Sequence, residues 1–266
     1  MFLQNIGSLL KERLTPRKDG GPTIRMSKLG TPDRKLWYEH HSTQKENTQA
    51  KNALKFVYGD IIEQLIIFLA KECGHTVEDE QKEWDIDGII GHQDAKIDGI
   101  VVDVKSASSY AFRKFSERSL FKDDPFGYIA QLSAYAHANG ADTASFIGVN
   151  KETGELCLLP LSEVDTINPI KRIEQVKKLA APDAPKPEKK CYEPIPHNKS
   201  GNMQLHKNCT YCPFAKDCWK DANNGKGIRY FNYSNGLVPL VKVLEEPKVE
   251  EVIKQADSMK NTSDNC

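Results

Sequence analysis

The order of apolar patterns predicts an α/β fold, with a mixed central sheet flanked by helices. Three observations carry that prediction. From Thr48 to Cys73 the residues Leu54, Val57, Ile61, Leu65 and Phe68 recur at helical spacing, and Gly74 ends the run. Val77 to Trp84 and Ile86 to Val104 read as strands, with Asp87-Gly88 and Asp98-Gly99 as tight turns. Phe126 to Asn139 reads as a second helix, stopped by Gly140 and followed by more strands.

The other elements follow in order. Residues 1–14, MFLQNIGSLLKERL, have the look of an amphipathic helix start without a secretory cleavage pattern, and 15–23 form a loop by composition. The next segment, IRMSKLGTPDRKLWYEH, carries Arg25, Lys28, Arg34 and Lys35, which either grip phosphates or line a solvated basic loop. Trp37 and Tyr38 behind them are expected to fill core in preference to stacking on bases. Ala144 to Asn150 and Leu156 to Leu161 form a hairpin around Lys151-Glu152-Thr153-Gly154, and Asn168 to Leu179 is helical. The proline- and charge-rich run 181–190 is a linker. A cysteine-rich segment, a short hairpin from Ile228 to Val243 and a polar tail from about Pro247 complete the chain.

At 266 residues, with 39% hydrophobic and 28% charged residues, the chain suits one large domain with polar extensions. No apolar run approaches a membrane span, so a cytoplasmic protein without a membrane partner is expected. Formal net charge is zero, but residues 1–57 hold about twice as many Lys and Arg as Asp and Glu. A basic arm beside an acidic site suits a phosphate-backbone substrate, and a plain solvated surface equally well. Seven cysteines in an intracellular chain point to metal binding or free thiols before disulfides.

Chemistry concentrates in Gly91 to Ser108, GHQDAKIDGIVVDVKSAS. Strand residues i and i+2 share a face, so Asp103 and Lys105 point the same way, next to Asp94 if a turn brings it back. Two carboxylates and a lysine meet the needs of metal-assisted phosphodiester hydrolysis: oxygens hold Mg²⁺ or Mn²⁺, and the lysine orients or helps deprotonate the attacking water. The plainer alternative is a polar hairpin. Glu63 is the only acid in the apolar run from Ile61 to Ala70, either at the solvent edge or as a third carboxylate, with Gly59 one turn earlier allowing close helix–sheet approach. Gln131 and Tyr135, at i and i+4, share a helix face. They either hold a phosphate, a base or the lysine, or belong to an ordinary amphipathic helix.

Glu63, Gly91-His92-x-Asp94, Asp103-Val104-Lys105 and Gln131-x-x-x-Tyr135 together resemble the RecB-type branch of the PD-(D/E)xK nucleases over roughly Gly59 to Tyr135. The resemblance implies a restriction-endonuclease-like core in which Asp94, Asp103 and the Val104 carbonyl bind Mg²⁺ or Mn²⁺. It assigns the water to Lys105, the metal shell or water to Glu63, and the DNA groove to Gln131 and Tyr135. Relatives often carry a histidine ligand on the first helix, where this chain offers Asp60 or Glu63. His92 either sits near the metals or is structural.

Cys209, Cys212 and Cys218 form C-x2-C-x5-C. They resemble the triad that holds a [4Fe–4S] cluster in iron–sulfur exonucleases of CRISPR-associated and phage type. The fourth cysteine of those proteins lies upstream, where this chain has Thr31-Pro32-Asp33. Cys191, Cys73, His206 or an exogenous group stay open as fourth ligand, and Zn²⁺, a cluster and a degenerate site stay open as its occupant.

The implied organisation is a basic N-terminal arm (1–47), nuclease core (48–180), linker (181–190), cysteine-rich segment packing on the core (191–246) and tail (247–266). The implied activity is that of a Mg/Mn-dependent exonuclease acting on linear or single-stranded DNA in end processing, recombination or degradation. The chain has no G-x-x-x-x-G-K-[ST], so unwinding falls to a helicase or recombination partner. The alternatives are a non-catalytic DNA-binding scaffold and an endonuclease on the same core.

Overall fold

The computed structural model describes residues 24–42 and 50–252, with side chains from Ile24 to Ser42 and from Leu54 to Val252. The predicted N-terminal helix start, the loop 15–23, the first residues of the helix predicted from Thr48 and the end of the polar tail lie outside the described residues. The chain divides into two compact units, Met1–Lys186 and Pro187–Cys266. No described helix is long and apolar enough to cross a membrane.

Unit 1 is the mixed α/β core. Its helices are α1 (Asp33–His41), α2 (Ala50–Glu72), α3 (Ser109–Ser116), α4 (Tyr128–Ala138) and α5 (Pro169–Ala180). Its strands are β1 (Val77–Glu78), β2 (Glu83–Ile86), β3 (Ile89–His92), β4 (Ala95–Ile97), β5 (Ile100–Ala107), β6 (Ala144–Asn150) and β7 (Leu156–Pro160). The main sheet runs β1-β4-β5-β6-β7, and β2 and β3 make a separate hairpin. Every pair is antiparallel except β5 with β6, and that parallel pair needs the crossover that α3 and α4 provide. These features match the restriction-endonuclease-like architecture.

Alternation along β5 divides the core. Val101 joins Phe115, Leu132, Tyr135 and Phe146 on the side of α3, α4 and α5. Val104 packs with Ile62 and Ile66, and Val102 with Ile67, on the side of α2. The predicted turns hold: Asp87 and Asp98 have φ of 53° and 50°, followed by Gly88 at 82° and Gly99 at 79°. Paired positive φ is the two-residue hairpin turn that Asp-Gly favours.

Several expectations need correction. The helix predicted from Leu54, Val57, Ile61, Leu65 and Phe68 forms as α2, but its sheet-facing residues are Ile62, Ile66 and Ile67, while Leu54, Ile61, Leu65 and Phe68 are exposed. Ile61 to Ala70 is apolar almost all round, so helical spacing alone does not select a face. Gly59 is not needed for close packing, because a Cβ there would meet only Ser106 Oγ at 3.9 Å. The close approach occurs instead at Gly30, whose Cβ would lie 2.1 Å from Gly127 Cα. The basic stretch is no solvated loop: α1 buries Arg34 and Leu36, while Lys28 and Lys35 reach Glu39 at 3.1 and 3.8 Å. Tyr38 is buried; Trp37 is half-buried, donating to the Ala184 carbonyl at 2.7 Å and stacking on His41. Helices α1 and α3 have no predicted counterpart; α3 starts where Ser108 caps it by accepting from the Ala111 N–H.

Unit 2 is a four-stranded antiparallel sheet of order β10-β11-β9-β8, from β8 (Ile195–His197), β9 (Asn202–Gln204), β10 (Arg229–Tyr233) and β11 (Gly236–Lys242). The β10–β11 hairpin lies where the sequence predicts one. Between β9 and β10 the chain makes the short helical turns Lys207–Thr210, Ala215–Cys218 and Ala222–Gly225.

Candidate active site

The hairpin turn at Asp98-Gly99 sets Ile97 opposite Ile100 and Ala95 opposite Val102. Continuing that register by one residue places Asp94 opposite Asp103. Asp94 Oδ2 accepts the Val104 N–H at 2.7 Å, fixing the carboxylate against β5. Gln93, fully buried, anchors the strand just before it: Gln93 Oε1 accepts from Trp84 Nε1 at 2.8 Å and Asn139 Nδ2 at 2.7 Å.

Asp103 has no exposed surface. Lys105 Nζ lies 2.6 Å from its Oδ2. Among the described residues no other donor reaches either Asp103 oxygen. Burial raises the Asp103 carboxyl, partly offset by Lys105. Burial also drives Asp94 well above the ordinary carboxylate range, and the neighbouring Asp103 adds to the effect. For Lys105, burial pulls down, but Asp103 and Asp94 outweigh it and hold the ammonium above its usual range.

Glu63 shares the sheet-facing stripe of α2 with Ile62, Ile66 and Ile67, spaced as neighbours on one helix face. Its Oε1 accepts from Gln81 Nε2 at 2.5 Å. Burial raises its carboxyl, with the charges of Asp60 and Asp103 adding to it. Glu63 is thus half-buried, whereas Asp60, its neighbour on the helix, is exposed. Tyr135 is buried in α4, and its hydroxyl accepts a long 3.4 Å hydrogen bond from Gln131. Burial and the nearby Asp103 and Asp94 push it up to about 12, against the pull of Gln131. His92 stays apart from the carboxylates: it is exposed and pairs with Glu83 at 3.2 Å across the β2–β3 hairpin.

No family model matches the chain, and no curated protein matches it. Among solved structures, the crystal structure of SSO0001 is similar at 19% identity and a TM-score of 0.48, over 80% of this chain and 94% of that one. A phage-related exonuclease from Haemophilus somnus 129PT is similar at 14% identity and a TM-score of 0.42, over 62% and 93%. An alkaline exonuclease, LHK-Exo, from Laribacter hongkongensis is similar at 11% identity and a TM-score of 0.34, over 58% and 88%.

Two site neighbours escape the motif reading. The Tyr128 ring lies 5.0 Å from Lys105 Nζ, a cation–π distance. Asp124 accepts the N–H groups of Gly127, Tyr128 and Ile129 at 2.9, 3.0 and 2.9 Å, and its charge reaches Asp103. An aspartate just before the apolar run of α4 is the available signal for Asp124. Tyr128 has none, because its contact with Lys105 depends on the crossover.

The arrangement suits a hard divalent cation. Among the described residues no three His, Cys, Asp or Glu side chains close on a point as a ready-made cage. Mg²⁺ does not require one, since it keeps several waters and takes one or two carboxylates. The Asp103 oxygens, buried beside Asp94 and met by Lys105 alone among the described residues, are acceptors of that kind.

Proposed function

We propose that this protein is a metal-dependent DNA exonuclease of the RecB-like PD-(D/E)xK type. The observation that carries the reading is Asp103: a fully buried carboxylate beside Asp94, met among the described residues by the Lys105 ammonium alone. Asp94, Asp103 and the Val104 carbonyl would hold Mg²⁺ or Mn²⁺, with Glu63 at the edge of the shell. A divalent cation there supplies Lewis-acid stabilisation of charge on the phosphoryl oxygens.

The chain's own residues divide the remaining work. Lys105, held as an ammonium in the metal-free chain by its two aspartates, would orient the water and face the phosphate. Glu63, whose carboxyl is raised by burial, would in its ionised form accept a proton from that water. Tyr135 and Gln131 form a polar surface on α4 for the nucleic acid. Tyr128 confines the lysine.

The test is degradation of labelled linear and closed-circular DNA with Mg²⁺ or Mn²⁺, by wild type, Lys105→Ala and Asp103→Asn. Linear DNA should be degraded and the circle spared, and each substitution should slow the reaction about 10²-fold or more. Equal rates in wild type and Lys105→Ala would sink the catalytic assignment. Cleavage of the circle would make the protein an endonuclease, and DNA binding without cleavage would make it a scaffold.

A further inference from the structure

The crossover from α3 enters α4 through the loop 123–127, and three contacts fix that loop. Lys114 Nζ donates to the Asp123 carbonyl at 2.8 Å and to its carboxylate at 2.7 Å. The Asp124 carboxylate accepts the N–H groups that open α4. Gly127, at φ 75°, packs so closely on Gly30 that neither position has room for a Cβ. The aromatic side chain of the loop, Phe126, is nevertheless 65% exposed. A single exposed apolar residue is ordinary on a protein surface. An exposed ring on a loop tied at three points is a ring held in one place.

Phe126 is also joined to the candidate site. Its ring stacks on Tyr128, with centroids 5.4 Å apart and planes 22° from parallel. The Tyr128 ring lies 5.0 Å from Lys105 Nζ and 6.2 Å from the buried ring of Phe115. Tyr128 is thus seated on the core and on the lysine. Phe126, stacked on one face and mostly exposed, offers the other. The acids of the loop do not oppose a phosphate chain, because Asp123 is paired with Lys114 and Asp124 is spent on backbone N–H groups. Lys122, next to them in the chain, is exposed. Every nucleobase has a π-face, so an open aromatic ring near a cationic site suits base stacking without sequence readout.

We propose that Phe126, backed by Tyr128, is a stacking platform for an unpaired nucleobase at the end of a DNA strand, next to the phosphate that Lys105 faces. This rests on the nuclease reading above and adds to it the substrate class, a single-stranded terminus. Inside a duplex each base is paired and stacked on both sides, so a base reaches the ring only from a free or frayed end. A base held there brings its own backbone to Asp94, Asp103 and Lys105, whatever its identity. Stacking holds the substrate before and during the reaction alike, so its loss raises KM and spares kcat.

Full-length wild type, Phe126→Ala and Phe126→Trp are compared on an internally labelled single-stranded oligonucleotide, on the same strand with abasic ends, and on a blunt duplex. Binding is read by fluorescence anisotropy without divalent metal, and cleavage with Mg²⁺. Quenching of 2-aminopurine placed at the strand ends reports stacking directly. Phe126→Ala should weaken binding of the single strand and raise its KM about 10-fold, leave kcat near wild type and abolish the quenching, and Phe126→Trp should restore all three. Abasic ends should cost wild type as much and cost Phe126→Ala nothing further. Equal binding of intact and abasic strands by wild type, or wild-type binding and quenching in Phe126→Ala, would overturn the platform and leave the nuclease reading standing. A loss as large on the blunt duplex would overturn the single-stranded assignment. Stacking without cleavage by wild type would support the platform and remove the nuclease reading.

Discussion

A two-residue turn fixes which side chains meet across a hairpin, so the Asp98-Gly99 turn decides that Asp94 faces Asp103. That meeting was legible in the sequence once the turn was recognised, and so was the shared face of Asp103 and Lys105. The burial was not, because it depends on helices packed over both faces of the sheet. Burial gives Asp94 a folded-state pKa above its unfolded value of about 3.9, so the folded chain binds that proton more tightly. Stability of the metal-free protein therefore falls as pH rises from the unfolded value through the raised folded one, and the full penalty remains above it. Asp94→Asn, which keeps an oxygen for the Val104 N–H, should melt higher than metal-free wild type at neutral pH. The shift should be roughly 2–4 °C for each ~1 kcal/mol relieved. The gain should shrink toward pH 4 in thermal scans, and the variant should lose stabilisation by Mg²⁺. A lower melting temperature at neutral pH would contradict the buried-charge account.

Helix α2 shows where a pattern is ambiguous at the scale of an element. Its apolar residues surround the axis, and two stripes satisfy helical spacing equally well. Contact with β5 selects Ile62, Ile66 and Ile67, and that choice carries Glu63 toward the aspartates. Urea denaturation separates the two faces. Ile66→Ala should cost about 2–5 kcal/mol, as a buried truncation does, whereas Leu65→Ala should stay within about 0.5 kcal/mol. Comparable losses would contradict this choice of face. For α4, Asp124 satisfies three backbone N–H groups, and Asp124→Ala should cost about 0.5–2 kcal/mol in the same experiment. The Gly30–Gly127 approach adds a constraint on the start of that helix that no local pattern announces, since the partners lie far apart in the chain.

Across the whole molecule, two units carry two kinds of donor: oxygen around Asp94 and Asp103 in unit 1, sulfur around Cys209 in unit 2. Hard Mg²⁺ prefers the oxygens, and binding to the native state slows local opening. Hydrogen exchange on the full chain should show Mg²⁺ protecting peptides that span β4, β5 and α4 and leaving β8 to β11 unchanged. Protection confined to unit 2 would remove the carboxylates as the cation site. The sequence by itself determined the α/β class, the two Asp-Gly turns, the pairing of Asp94 with Asp103 and the facing of Lys105, because these follow from short-range backbone geometry. Only the tertiary structure decided which face of α2 is buried, that Lys28 and Lys35 are tied to Glu39, that Tyr128 adjoins Lys105, and that Cys191 approaches Cys209. Each of those depends on contacts between segments distant in sequence, where packing selects among local patterns that are equally allowed.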